Sequence, residues 1–287
     1  MNGDYRRSLM QILLYLLAGY LLLVGIVFLV QRKLLYFPDP TPPAVDTVRL
    51  ANGMIFEPWP DRGPAFRGYV GANLPKGAPV RGTVIVFHGN AGSARDRFYY
   101  GLALEARNYR VLLAEYPAYG GRGGELGENA FIRDGQETAR LALATFGGPL
   151  LIWGESLGAA VAAGVAADPA LPVAGVALIT PWDSLPDLAQ TLYWYLPARW
   201  LLRDRYDNLA ALNRYGGKVA VLVAERDEII PAPRSQRLYD ELREPKRRWV
   251  FADAGHNSWP VDPRSLWWDE VLQWLESGNG TGTAPES

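Results

Sequence analysis

Cysteine is absent from the 287 residues. That excludes disulfides, thiolate metal sites, a cysteine nucleophile and a lipidated cysteine at the amino end, and it leaves the redox compartment unreadable. Histidine is almost as scarce. With only His88 and His256 in the chain, a histidine-rich centre is excluded, no metal site is expected, and any imidazole base is one of two residues. An excess of charge is lacking too: Lys and Arg number 29 against 30 Asp and Glu. No field of one sign is available to hold a polyanion, and nucleic acid is not an expected partner. The basic run Pro245–Trp249 reads as a turn into a strand. No internal repeat appears, and the low-complexity tail 278–287 is expected to be disordered.

Charge is also missing between Leu9 and Val30, where Gln11 is the one strongly polar side chain. As a helix this run would extend about 33 Å, enough to cross the hydrocarbon of a bilayer. Arg6 and Arg7 would suit the basic start of a secretory signal, but the run is longer than a signal core. The segment after it, "QRKLLYFPDP", also offers no pair of small residues for a peptidase. Residues 1–33 are therefore expected to be an uncleaved, single-pass transmembrane anchor. Arg32 and Lys33 nearly balance the two arginines. A short tail carrying Arg6 and Arg7 would still remain more readily in the cytoplasm, placing the large domain on the non-cytoplasmic side. Pro38–Pro43, with four prolines, reads as a stiff spacer leading away from the membrane.

Beyond the spacer the chain alternates between two patterns. "GTVIVFHG", "RVLLAEYPAYG", "PLLIWGES", "VAGVALIT" and "KVAVLVAERD" are short β-branched runs, separated by longer helical segments such as Glu125–Phe146. The repetition implies one α/β domain over 34–277, with a mostly parallel central sheet and helices on both faces. Ligands bind such sheets at the carboxyl ends of the strands.

At one of those ends lies "GESLG", with Ser156 between Gly154 and Gly158. In a chain with 30 glycines that spacing arises readily by chance, so its position decides. "LLIW" before it is a buried strand and "AAVAAGVAA" after it a small-residue helix. A tight strand-to-helix turn strains its central residue and crowds the neighbouring backbone, which calls for glycine on either side. The hydroxyl then sits at a helix amino terminus, where N–H groups favour developing negative charge. The competing reading is a serine that merely caps the helix.

A serine hydroxyl needs a base to take its proton. In doubly wound hydrolases the chain order is nucleophile, acid, histidine, and His256, in a loop after a late strand, is the only downstream imidazole. Asp227, just past "VAVLVAER", is the expected acid, orienting the imidazole and stabilising its protonated form. Glu228 and Asp253 are the alternatives. The oxyanion requires two donors: the backbone N–H of Leu157 and one from "FHGNAG", for which Asn90 is chosen. His88, in the same loop, reads as a residue that holds the turn.

With these residues in place the chain resembles the α/β-hydrolases, and more narrowly the membrane-anchored serine hydrolases that include abhydrolase-domain acyl-protein thioesterases and lysophospholipid lipases. The matching pieces are "LLYFPDP", "VIVFHGNAG", "EYPAYGGRGG", "WGESLGAA", "ITPWDSLPDLA", "DRYDNLAAL", "ERDEIIP" and "AGHNSW", in family order from about residue 34 to 275. One departure is Tyr116–Gly120, where a Tyr-Arg-Gly-Tyr-Gly type of loop is usual. The resemblance implies an α/β-hydrolase fold and a serine hydrolase that needs no cofactor.

The segment from about 181 to 217 is expected to form a short helical cap over the site, with Tyr119, Trp182, Tyr193, Trp194 and Leu196 lining a pocket for substrate. The function expected is hydrolysis of a carboxylic ester or thioester, of a lipid or an acylated protein, through an acyl-serine. An amidase or peptidase with the same residues is one alternative. A membrane-bound scaffold without chemistry is the other. The sequence is silent on oligomeric state.

Overall fold

The computed structural model describes residues 3–43 and 46–277. The tail expected to be disordered, 278–287, lies outside the described residues. The chain opens with α1 (Gly3–Leu35), whose stretch from Arg6 to Leu35 reaches a mean hydropathy of 2.7 and is long and apolar enough to cross a membrane. A two-residue strand, β1 (Phe37–Pro38), comes directly after it.

Among the described residues the central sheet has nine strands. In chain order they begin with β2 (Val48–Arg49), β3 (Ile55–Trp59), β4 (Gly68–Gly71) and β5 (Gly82–Phe87). The short β6 (Ala91–Gly92) lies outside this sheet and pairs in parallel with β1. The remaining five are β7 (Tyr109–Ala114), β8 (Leu150–Glu155), β9 (Val173–Ile179), β10 (Val219–Ala224) and β11 (Lys246–Phe251). Their spatial order is β11-β10-β9-β8-β5-β7-β4-β3-β2, parallel from β11 to β7 and antiparallel from β7 to β2. All five runs picked from the sequence fall in the parallel part. The antiparallel edge carries no comparable signal, because β3 contains Glu57 and Pro58 and β4 begins and ends in glycine.

Helices cover both faces: α2 (Tyr99–Leu104), α3 (Glu128–Phe146), α4 (Leu157–Ala166), α5 (Leu185–Leu192), α6 (Ala198–Leu201), α7 (Asn208–Tyr215), α8 (Ala232–Glu241) and α9 (Trp267–Glu276). The period of two along β5 sorts the core. Ile85 and Phe87 join a cluster with residues of α3, α4 and α8, whereas Val84 and Val86 join another with residues of α2 and α9. Small side chains let α4 lie close to the strands, and all of it but Gly164 is buried. On the opposite face Trp268 of α9 stacks on Trp153 of β8 at 5.6 Å between ring centroids, so the tryptophan face of α9 is core.

Pro38–Pro43 is not the free spacer that its prolines suggest. Proline lacks an N–H to donate, but its carbonyls and those of its neighbours still accept. Gly120 N–H donates to Asp39 O, Asp39 N–H donates to Gly92 O, and Arg95 reaches Pro42 O. The segment therefore docks α1 directly onto the loops at the carboxyl end of the sheet.

Candidate active site

Ser156 stands between the end of β8 and the first residue of α4 with φ 52° and ψ −117°, a backbone conformation that L-residues avoid. The flanking glycines are required by space. A Cβ on Gly154 would lie 2.1 Å from Gly158 O, and one on Gly158 only 2.0 Å from Phe87 O. Ser156 occupies the helix-capping position, yet its hydroxyl makes no capping hydrogen bond. Its Oγ instead lies 3.0 Å from Nε2 of His256.

The other ring nitrogen of His256, Nδ1, is 2.7 Å from Asp227 Oδ2. A carboxylate only accepts, so Nδ1 carries the proton and Nε2 is left to accept from the Ser156 hydroxyl. Asp227 is itself held: its Oδ1 accepts from the N–H groups of Ile229 and Ile230 at 2.9 and 2.7 Å, and its side chain is almost fully buried, as is that of His256. The two alternatives have other partners. Glu228 accepts from the backbone N–H of His256 at 3.1 Å and so steadies the loop rather than the ring. Asp253 pairs with Arg226 at 2.8 Å on the exposed surface.

Asn90 and Leu157, whose N–H groups are the expected donors, line the same cavity as Ser156. Leu157 N–H is in the first turn of α4 and has no intrahelical acceptor. Asn90 N–H makes no hydrogen bond among the described residues, although the carbonyl and the side-chain amide nitrogen of the residue are engaged. Its carbonyl accepts from Phe37 N–H at 2.9 Å and from the Tyr119 hydroxyl at 2.7 Å, and its side-chain amide donates to Leu35 O at 2.9 Å. The loop is braced from beneath by a buried pair that sequence reasoning missed in part. His88 Nε2 lies 3.0 Å from Glu115 Oε1, while Glu115 Oε2 accepts from Ala94 N–H at 3.0 Å. His88 Nδ1–H donates to Gly89 O at 2.8 Å, and Tyr116 donates to His88 O at 2.6 Å. Burial pushes the Tyr116 and Tyr119 hydroxyls well above the ordinary tyrosine range, so both remain donors. The signal for Glu115 was a lone carboxylate ending an apolar strand.

Over Ser156 opens a cavity of about 540 Å³ with mostly apolar walls, within the range of small-molecule sites. Of the expected lining residues it receives Trp182, Tyr193 and Leu196. Two expectations are corrected. Tyr119 is buried in the core with its hydroxyl committed to Asn90 O. Trp194 points away, 79% exposed, because the turn after α5 sends Tyr193 and Trp194 to different sides. The sequence also gave no hint that α1 is a wall: Val27, Phe28 and Leu35 line the cavity opposite Leu188 and Leu201. Among the described residues no group of acidic, histidine or cysteine side chains is arranged to hold a metal ion.

A family model described as the alpha/beta hydrolase fold matches residues 82–212. An uncharacterized protein of Mycobacterium tuberculosis is 33% identical over 245 residues, 82% of each chain. A lysophosphatidylserine lipase of Danio rerio is 27% identical over 176 residues, 55% of this chain and 46% of that one. Among solved structures, an esterase of Pyrococcus furiosus superposes with a TM-score of 0.56 at 18% identity, covering 84% of this chain and 97% of its own.

Proposed function

The chain belongs to the α/β-hydrolase superfamily, and on that premise we propose that it is a membrane-anchored serine hydrolase that cleaves acyl esters or thioesters through an acyl-enzyme at Ser156. The observation that carries this reading is the run of contacts from Ser156 Oγ to His256 Nε2 at 3.0 Å and from Nδ1 to Asp227 at 2.7 Å, on a strained turn. As Oγ attacks the acyl carbon, its proton passes to Nε2, and Asp227 stabilises the imidazolium. The carbonyl oxygen becomes an oxyanion that accepts from Leu157 and Asn90 N–H. Collapse breaks the bond to the leaving alcohol or thiol, which takes the proton from Nε2. Water then attacks the acyl-serine by the same path, releasing the acid and restoring the serine. No metal or organic cofactor enters any step.

The apolar cavity beside Ser156 supports an acyl chain as the group transferred, and the name of the Danio rerio relative agrees. The exposed apolar surface of α1 supports insertion in a bilayer, with Arg6 and Arg7 retained on the cytoplasmic side and the domain on the other. The test is reaction with a fluorophosphonate probe. Wild-type protein is expected to label and Ser156→Ala not to, and equal labelling of the two would refute the assignment. A panel of medium-chain esters, acyl-thioesters and short peptides then fixes the bond class; turnover of peptides alone would replace this reading with a peptidase.

A further inference from the structure

The half-buried residues of α1 include Val24, Val27, Phe28, Gln31 and Leu35, positions i, i+3, i+4, i+7 and i+11 of a helix, which define one face. Alongside that face runs the segment after α5, in the same direction and in register. Tyr20 donates through its hydroxyl to Tyr195 O, Gln31 donates to Leu201 O and accepts from Arg203 N–H, Arg32 pairs with Asp204, and the hydroxyls of Tyr36 and Tyr206 meet. Tyr20 and Tyr36 are sixteen residues apart, so the two segments lie together over about 24 Å.

This pairing sets a depth. From Leu9 to Gly19, before the first of these contacts, α1 is free over about 16 Å, whereas the hydrocarbon of a bilayer is about 30 Å thick. Some 14 Å of hydrocarbon remains to be crossed by the part of α1 that the segment flanks, roughly Tyr20 to Leu29. The side chains agree with such a boundary. Beyond it stand Gln31, Arg32, Asp204 and Arg203, the last with its guanidinium over the Phe28 ring at 4.5 Å. Short of it the segment shows Leu192, Tyr193, Trp194, Tyr195 and Trp200 at the surface, with Trp194 79% and Trp200 80% exposed. From Leu192 to Leu202 the only charged residue is Arg199, and it turns back to pair with Asp187, a carboxylate that Arg237 also faces.

We propose that the edge Leu192–Trp200 is immersed in the lipid leaflet beside α1, so that the cavity above Ser156, walled by both, opens to hydrocarbon rather than to water. Its substrate is then an amphiphile already resident in the bilayer, whose acyl chain reaches the serine without leaving an apolar surrounding. The inference rests on the reading of α1 as a membrane anchor. Exposed tryptophan and tyrosine on one edge, continuous with an apolar helix, select lipid over a soluble partner.

The absence of cysteine makes the test direct. Full-length single-cysteine variants Trp194→Cys, Trp200→Cys, Met10→Cys and Val80→Cys are labelled with an environment-sensitive fluorophore and reconstituted into phosphatidylcholine vesicles containing doxyl-labelled lipid. Met10 is exposed on the free part of α1 and reports the anchor, and Val80 is exposed before β5, at the opposite end of the sheet. Labels at 194 and 200 are expected to lose fluorescence to the doxyl lipid to the extent seen at position 10, and to be protected from aqueous iodide that quenches position 80. Quenching at 10 with iodide access at 194 and 200 equal to that at 80 would overturn the immersed edge and leave the anchor standing. No doxyl quenching at 10 would remove the anchor itself, and the inference with it.

Discussion

Replacing Gly158 by alanine perturbs the site at its closest approach. The new Cβ would lie 2.0 Å from Phe87 O, 2.5 Å from Phe87 C and 2.6 Å from His88 O, whereas a carbon tolerates oxygen at about 3.3 Å or more. The obstructing atoms are main chain, so no rotamer relieves them, and α4 and the end of β5 must separate by more than about 1 Å. Overpacking of this kind costs about 1–3 kcal/mol, equivalent to a fall in Tm of roughly 2–12 °C for a domain of this size. The larger effect is expected in catalysis. Phe87 and His88 lead into Asn90, so the displacement would move one proposed oxyanion donor away from the other on Leu157. A misplacement of 1 Å or the loss of one donor each lowers the rate by about 10²- to 10³-fold. We expect kcat on a water-soluble ester to fall by that factor, with thermal unfolding still cooperative. Gly164→Ala is the control: its Cβ would meet the side chain of Ile132 at 2.4 Å, two turns along α4 from the serine. It should lower Tm and keep kcat within about threefold, because no part of the site moves. Wild-type kcat in Gly158→Ala would refute the close-approach reasoning.

Two further outcomes are expected. At φ 52° glycine is unstrained and alanine is not, so Ser156→Gly should be more stable than Ser156→Ala by about 1 kcal/mol, inverting the usual ranking; denaturant unfolding of both variants decides it, and the ordinary order would mean that the turn relaxes. The carboxyl of Glu105 is held above its usual range because burial outweighs the hydrogen bonds from Asn73. A group raised on folding contributes stability below its unfolded pKa and loses it as pH rises through the folded one. The stability of Glu105→Gln relative to wild type should therefore improve between about pH 4 and pH 7, and an unchanged difference would show that the carboxyl titrates as it does in the unfolded chain.

The sequence revealed what is local. Runs of β-branched residues mark β5 and β7 to β10, since a strand covered on both faces is apolar almost throughout. Gly154, Ser156 and Gly158 are legible because a tight turn needs them at alternate positions. Asp227 and Glu228 were harder to separate, being neighbours at the end of one strand. Only the loop's course, with Ile229 and Ile230 N–H turned onto Asp227 Oδ1, sends one carboxylate to the ring and the other to the backbone. Tyr119 and Trp194 were misplaced for a related reason: an aromatic residue near a site signals burial or contact without saying which.

The docking of α1 was illegible because hydropathy reports composition, not neighbours. In a helix apolar on every side, the face that packs at 24, 27, 28, 31 and 35 leaves no contrasting polar stripe. Its consequence is nevertheless specific. Leu35 and Phe37 hold the side chain and the carbonyl of Asn90, its N–H has no acceptor among the described residues, and Val27 and Phe28 wall the cavity. The helix that would fix the protein in a membrane is thus hydrogen-bonded to the residue proposed to stabilise the oxyanion. On the proposed reading, a movement of α1 relative to the domain would change the shape of the pocket and the position of that donor together, and would couple the lipid around α1 to the chemistry at Ser156.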